Sequence, residues 1–337
     1  MKKTLCILLL STLAFAAWAA GAQEDASKPI VMVWLPNESG DDIKGARDAI
    51  GAVVEKALGR KVTHKLTTDY NIAIEAIANK QAHIAFFGAA QYLLSNAKSS
   101  TIQPLVVNSG SSGTLSDARY FSWLNVKLGN EGMYKSGAEF SIDNIKGKKF
   151  SWVSTSSTSG FKVPSAGMIS YFNKKGMTLK PEDLQEGGSD KFFSEVLYGA
   201  SHQGSAVNLL TGKVDLAAFC DACVANYVEL VSGTDNTEGA VYQVSQDAAE
   251  PFTDLKGEKF VVIDVIPVLN APFVVDTSRF SADQLKALRD AMTSDSTTKN
   301  EGIFVPKGGK GLFQAGQRFV AVEDAWFTPL RATVLGK

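Results

Sequence analysis

Ser154-Thr155-Ser156-Ser157-Thr158-Ser159-Gly160-Phe161-Lys162-Val163-Pro164 is the stretch on which the reading of this chain turns. On its N-terminal side, Lys149-Phe150-Ser151-Trp152-Val153 alternates large apolar residues with smaller or polar ones, the period of a strand. On its C-terminal side, Ala166-Gly167-Met168-Ile169-Ser170-Tyr171-Phe172 has the spacing of a helix's opening turns. A strand that passes through small hydroxyl residues into a helix leaves the first backbone N–H groups of that helix without partners. Those donors, the positive end of the helix dipole and the hydroxyls of Ser157, Thr158 and Ser159 together suit a tetrahedral oxyanion. The same residues also fit an ordinary Ser/Thr turn with an N-cap, so the rest of the chain decides between the two.

Upstream, Val31 to Leu35, Lys61 to Leu66 and His83 to Phe87 are apolar strand patterns. They are separated by helical spacings at Asp41 to Ala57 and Ile72 to Ala78, and a further helix surrounds Tyr92. This βαβαβα order predicts a parallel sheet with helices on its faces. Ile102 to Val107 adds a strand and Tyr120 to Val126 a long extended segment. The pattern then restarts, with a strand at 149–153, helices from about 158, at 190–198 and at 203–212, a strand at Val214 to Phe219 and a helix at 222–231. Phe260 to Ile266 and Pro272 to Val275 are strands that arrive late, followed by a helix at 281–292 and the tail 303–331. Read as a return to the first unit, they make lobe 1 discontinuous (28–122 plus 267–337) around lobe 2 (123–266).

Lys2-Lys3, the apolar run Leu5 to Ala17 and the small-residue end Ala20-Gly21-Ala22 predict a cleavable signal peptide over residues 1–22. Its apolar core is short for a membrane span, and no later segment offers ~18 apolar residues in a row. The expected address is the periplasm. With 34 basic and 35 acidic residues and no basic run, the chain lacks the footprint of a nucleic-acid binder. Only Cys220 and Cys223 lie beyond the signal peptide, so packed cores rather than a disulfide framework must hold the fold. Their Cys-x-x-Cys spacing admits a short-loop disulfide, two buried thiols or redox chemistry. Metal binding would need more ligands than the segment supplies, and no cofactor is expected.

Several segments, in order, resemble the phosphate, phosphite and phosphonate periplasmic binding proteins of ABC importers. They are Thr68-Asp69-Tyr70 with Ile74 to Ile77, Ile84 to Gly88 with Tyr92, and Asn144 to Phe150 leading to Ser157-Thr158-Ser159-Gly160 and Pro164. Gly199-Ala200-Ser201-His202 with Gly212 to Asp215, and Pro267 with Asn270 to Phe273, continue the series. The resemblance implies an α/β, two-lobed, type II-like binding protein, each lobe a mostly parallel sheet flanked by helices and joined by a two-strand hinge. It implies a small-molecule oxyanion caught between the lobes, and a partner permease in the inner membrane with a cytoplasmic ATPase. A monomer is expected. Lys180 to Lys191 lengthens one connection relative to compact family members, and Phe219-Cys220-Asp221-Ala222-Cys223 departs from the general pattern.

The residues read as ligand-binding are Ser157, Thr158, Ser159, His202, Tyr70, Tyr92 and Asp221. His202 precedes a helix and can donate as imidazole or imidazolium, or cap that helix. Tyr70 and Tyr92 sit near strand-to-helix junctions, where doubly wound sheets gather ligand groups, though either could pack in the core. Asp221 suits an amino group on a ligand or a cap on its own helix. His64 and His83 read as structural. The leading function is capture of a phosphonate or related phosphorus oxyanion, without catalysis. A sulfonate or a thiamine-like phosphate ester is the alternative within the fold. A Ser159–His202–Asp221 hydrolase is the enzyme alternative, against which stands the absence of a Gly-x-Ser-x-Gly elbow or a P-loop.

Overall fold

The computed structural model describes residues 28–336. The expected signal peptide, residues 1–22, lies outside them. The first units form in the anticipated order: β1 (Ile30–Trp34), α1 (Lys44–Leu58), β2 (Val62–Leu66), α2 (Tyr70–Ala78), β3 (Ile84–Phe86), α3 (Ala89–Lys98) and β4 (Ile102–Asn108). Local chemistry marks the ends. Asp69 caps α2 by accepting from the amides of Asn71 at 2.7 Å and Ile72 at 3.2 Å.

The second unit runs through β5 (Arg119–Lys127), a small hairpin of β6 (Lys135–Ser136) and β7 (Glu139–Phe140), β8 (Lys149–Trp152) and α4 (Val163–Lys174). It continues with β9 (Glu195–Tyr198), α5 (His202–Leu210), β10 (Leu216–Cys220), α6 (Asp221–Val224), β11 (Val228–Ser232), β12 (Val241–Val244) and β13 (Lys259–Leu269). The chain then returns through β14 (Pro272–Asp276), α7 (Ala282–Thr293) and α8 (Asp295–Thr298). A short pair, β15 (Phe304–Val305) and β16 (Phe313–Gln314), precedes β17 (Phe319–Ala321) and α9 (Thr328–Leu335).

Among the described residues these strands make two large sheets, one per lobe. One has the order β17-β4-β14-β3-β1-β2 and the other β11-β12-β13-β5-β10-β8-β9. The chain passes between them twice, at 109–118 and at 270–271. The βαβ segments give each sheet its parallel part, β2-β1-β3 and β9-β8-β10. The rest is antiparallel: β14 inserts between β3 and β4, and β5 pairs with both β10 and β13. Both sheets are therefore mixed, because β14 in the first and β5 in the second run against the βαβ direction. The lobe limits drawn from the sequence fall inside β5 and β13, which pair along their length from Arg119↔Leu269 to Lys127↔Phe260.

Alternation along the strands sends apolar side chains to both faces. In β1, Ile30, Met32 and Trp34 join one core and Val33 the other; in β10, Leu216 and Ala218 lie opposite Ala217 and Phe219. A sheet buried on both faces needs such near-continuous apolar strands.

One predicted helix is replaced by a strand and another is cut short. Residues 195–198 of the expected helix 190–198 are strand β9, paired in parallel with β8 from Lys149↔Glu195 to Trp152↔Tyr198. Phe192, Phe193, Val196 and Leu197 fit either period, and the open edge of β8 decides for the strand. The expected helix 222–231 stops at Val224, and Val228–Ser232 becomes β11 against β12.

Candidate functional site

Between the lobes lies a cleft of about 520 Å³, lined from one side by Asn37, Glu38, Tyr70, Gly88 and Gln91 and from the other by Tyr120, Ser157–Ser159, His202 and Asp221. One wall of it is the turn that opens α4. Thr158–Lys162 is a widened turn in which Lys162 N–H donates to Ser157 O at 2.9 Å, five residues back. Such turns re-aim backbone groups and recur at functional sites. The Thr158 and Ser159 amides have no acceptor among the described residues. Ser157, Thr158 and Ser159 are all buried at the cleft wall. Ser157 Oγ accepts from the Gly160 amide at 3.1 Å and stands 3.4 Å from His202 Nε2. Gly160 is required here, because a Cβ would fall 2.3 Å from Val153 Cγ2.

His202 is placed by the start of α5, which Ser201 caps through the Gly204 amide at 2.9 Å. Its Nδ1 accepts from the Cys220 amide at 3.0 Å, so the ring proton sits on Nε2, facing Ser157. Burial pushes its pKa down to about 3, and it acts as a neutral donor. That tautomer is wrong for a general base toward serine, and no Asp221 bond reaches Nδ1, so the hydrolase arrangement is not assembled.

Tyr70, buried at the first turn of α2, accepts at its hydroxyl from Asn37 Nδ2 at 2.7 Å. Asn37 also accepts from the His202 amide at 3.0 Å, joining the lobes beside the α4 turn. Burial pushes the phenol pKa of Tyr70 up, and that of Tyr120 likewise, so both stay protonated donors. Asp221 opens α6 and accepts from the Phe121 amide at 2.9 Å; burial raises its pKa to about 6. Around it the cleft is walled by Trp123, Tyr242, Asp235 and Asn236.

Tyr92 is a correction. It is fully buried away from the cleft, its hydroxyl donating to the Asp324 carboxylate and its ring 4.9 Å from that of Phe327. One helical step earlier, Gln91 takes the cleft-facing position on α3, donating to Ser156 O across the interface. The sequence reading also missed Asn37, Glu38 and Tyr120. A polar pair directly after β1 and an aromatic residue beginning the crossing strand were the available signals.

Thr158 Oγ1 accepts from the Ala90 amide of α3 at 2.9 Å, so its hydroxyl also bridges the lobes. Gly88 permits this approach, since a Cβ there would lie 2.6 Å from Thr158 Oγ1. Farther along the rim, Ser156 Oγ donates to Asn71 Oδ1 at 2.6 Å and Tyr227 OH to Asp42 at 2.8 Å. Arg119 is the sole lysine or arginine in the lining among the described residues, and its guanidinium donates to Ser116 O. Lys162 lies outside the lining, its ammonium 6.0 Å from the Phe161 ring. His64 and His83 serve the fold, accepting from Trp34 Nε1 at 2.9 Å and Val31 N–H at 3.0 Å. Cys220 and Cys223 are disulfide-bonded. Together with His202 they are near enough to suggest a metal site, but neither sulfur is a free thiolate.

Comparison with known proteins agrees with this geometry. Residues 32–327 match the family described as ABC transporter, phosphonate, periplasmic substrate-binding protein. The phosphate-import protein PhnD of Mycolicibacterium smegmatis is 24% identical over 204 residues, which span 60% of this chain and 58% of that relative's length. A binding protein component of an ABC phosphonate transporter from Pseudomonas aeruginosa superposes with a TM-score of 0.66 at 18% identity, covering 93% of this chain and 87% of that one. PhnD1 from Prochlorococcus marinus, solved with methylphosphonate, gives a TM-score of 0.62 at 14% identity, covering 92% and 98%. The family match takes in both lobes and the cleft between them, and the chain belongs to the periplasmic phosphonate-binding proteins of ABC transporters.

Proposed function

We propose that this chain captures a phosphonate, or a closely related phosphorus oxyanion, in the interlobe cleft and delivers it unchanged to an ABC permease from the periplasm. The observation that carries the reading is the convergence of the α4 mouth and neutral His202 on one buried wall. The anion is held by the Thr158 and Ser159 amides, the hydroxyls of Ser157, Thr158 and Ser159, His202 Nε2–H and the Tyr70 and Tyr120 phenols. Charge-assisted hydrogen bonds to an anion are strong even from neutral donors. Asp221 faces the substituent, where it suits an amino group. The protein acts as a monomer, with the membrane permease as its partner. No helix among the described residues is long and apolar enough to cross a membrane, in keeping with a carrier that meets its permease from outside the bilayer.

Native mass spectrometry of freshly purified protein, followed by calorimetric titration with methylphosphonate, aminoethylphosphonate, phosphite, phosphate and methanesulfonate, tests this. One phosphorus anion should bind at close to one per chain and be recovered unaltered. If none binds, the ligand class is wrong; if bound ligand is converted, the non-catalytic reading is wrong.

A further inference from the structure

Glu38 stands on the cleft wall without a role in the site described above. It follows Asn37, whose side chain ties Tyr70 and the His202 amide together. The residue is 8% exposed, and its Oε2 has no hydrogen-bond partner among the described residues. Its carboxyl is close enough to the phenols of Tyr70 and Tyr120 to raise both pKa values. Arg47, the cation beside it, spends Nη1 on the carbonyls of Glu38 at 2.5 Å and Gly40 at 2.7 Å rather than on the carboxylate. Asp41, Asp42 and Asp48 also surround that guanidinium, so its charge is shared. An acid in an anion site, with an oxygen unmatched, needs an explanation.

We propose that Glu38 is the specificity residue of the anion site, its carboxyl sharing one proton with a ligand oxygen. This rests on the phosphonate reading and names how that site sorts its ligands. Burial raises the Glu38 pKa to about 8, so at neutral pH the group is a carboxylic acid with an O–H to donate. The second ionisation of a phosphate monoester lies at about 6, so such oxygens are basic enough to share a proton with a carboxyl group. A sulfonate is the anion of a strong acid, and its oxygens are weak acceptors. The carboxyl therefore favours phosphorus oxyanions over sulfonates of the same size and shape. When Glu38 is ionised, it must regain that proton from solvent as the dianion binds. Tyr70, Tyr120 and His202 keep their protonation states through this range, since burial raises the first two and lowers the third.

The test compares full-length wild type with Glu38→Gln by calorimetry, using methylphosphonate, aminoethylphosphonate and methanesulfonate at pH 7. At pH 9, methylphosphonate is titrated in buffers of different ionisation heat, which reports proton uptake. Wild type should prefer the phosphonate strongly and take up close to one proton per ligand at pH 9. Glu38→Gln should reduce the preference tenfold or more and abolish the uptake. Should Glu38→Gln fail to fold, Glu38→Asp serves: it keeps the acid but withdraws it by one methylene, so uptake persists with weaker phosphonate affinity. Unchanged preference and uptake in Glu38→Gln, or wild-type affinity in Glu38→Asp, overturns the assignment while leaving phosphonate capture intact. A variant that loses only aminoethylphosphonate also overturns it, because the carboxyl would then read the ammonium group. Wild type that binds no phosphorus anion overturns both readings.

Discussion

At the residue scale, the cleft solves an electrostatic problem without lysine. In the proposed site, hydroxyls, amides, two phenols and a neutral imidazole surround the anion, and Ser157, Thr158, Tyr70 and His202 are each fixed by a protein partner. Thr158 has two duties, since its hydroxyl faces the cleft and accepts from the Ala90 amide. Thr158→Val keeps the shape but removes a donor and leaves that amide unmatched, at a cost of ~1–3 kcal/mol. Phosphonate affinity should fall by about tenfold or more in calorimetric titration; wild-type affinity would show that the hydroxyl serves neither purpose. The buried acids make a separate prediction about stability. Burial raises the folded pKa values of Glu38 and Asp221 to about 8 and about 6, above the ordinary carboxyl values of 4.5 and 3.8. Groups raised in this way contribute stability that is fully present below the unfolded values and lost as pH rises through the folded ones. His202 runs the other way, from 6.5 to about 3, so its contribution is lost as pH falls. Ligand-free Glu38→Gln should therefore melt higher than wild type at pH 9 and gain no such advantage at pH 4.5. Equal melting temperatures at pH 9 would mean that the carboxylate is not held unpaired.

At the element scale, the site depends on how β8 hands over to α4. Val153 N–H donates to Gly160 O at 3.2 Å, folding the hydroxyl segment back onto the strand end. That contact leaves no room for a side chain at position 160. Gly160→Ala should destabilise the protein by roughly 1–3 kcal/mol through overpacking, read as a lower midpoint in denaturant unfolding. Val153→Gly should recover part of the loss, since the collision is with the Val153 side chain, Cγ2 at 2.3 Å and Cβ at 2.4 Å. An additive double variant would place the strain elsewhere. The elements that sequence periodicity misassigned, β9 and β11, are edge strands of the second sheet. Their helical spacing was real but local, and the unpaired backbone of β8 and β12 outweighed it.

At the scale of the whole molecule, two crossings join the lobes, and the cleft is bridged on several sides. Asn37, Asn71 and Asp42 on one lobe meet His202, Ser156 and Tyr227 on the other. Gly311 N–H donates to Asn226 Oδ1 at 3.0 Å, so the returning tail closes part of the rim. These bonds exist only when the lobes are together, and ligand contacts to both walls favour that arrangement. Small-angle scattering should show a smaller radius of gyration at saturating phosphonate than without it. An unchanged radius would remove ligand-driven closure and leave binding untouched.

That the hydroxyl run Ser157 to Ser159, His202, Tyr70 and Asp221 would line the cleft was legible from the sequence, because each lies beside a strand-to-helix junction. At such a junction, local periodicity already says where the chain turns. The βαβ order and the late return were legible for the same reason: alternating periods imply covered parallel strands, and apolar strands need a sheet to join. Tertiary structure alone decided which side of a helix met the cleft. A step of one residue on α3 put Gln91 at the cleft wall and Tyr92 against Phe327, and periodicity gives a helix two faces without saying what each will meet. It also decided the chemistry of Glu38 and His202, because their protonation depends on burial and on partners from distant segments. Desolvation and cross-chain hydrogen bonds arise only once both lobes have packed.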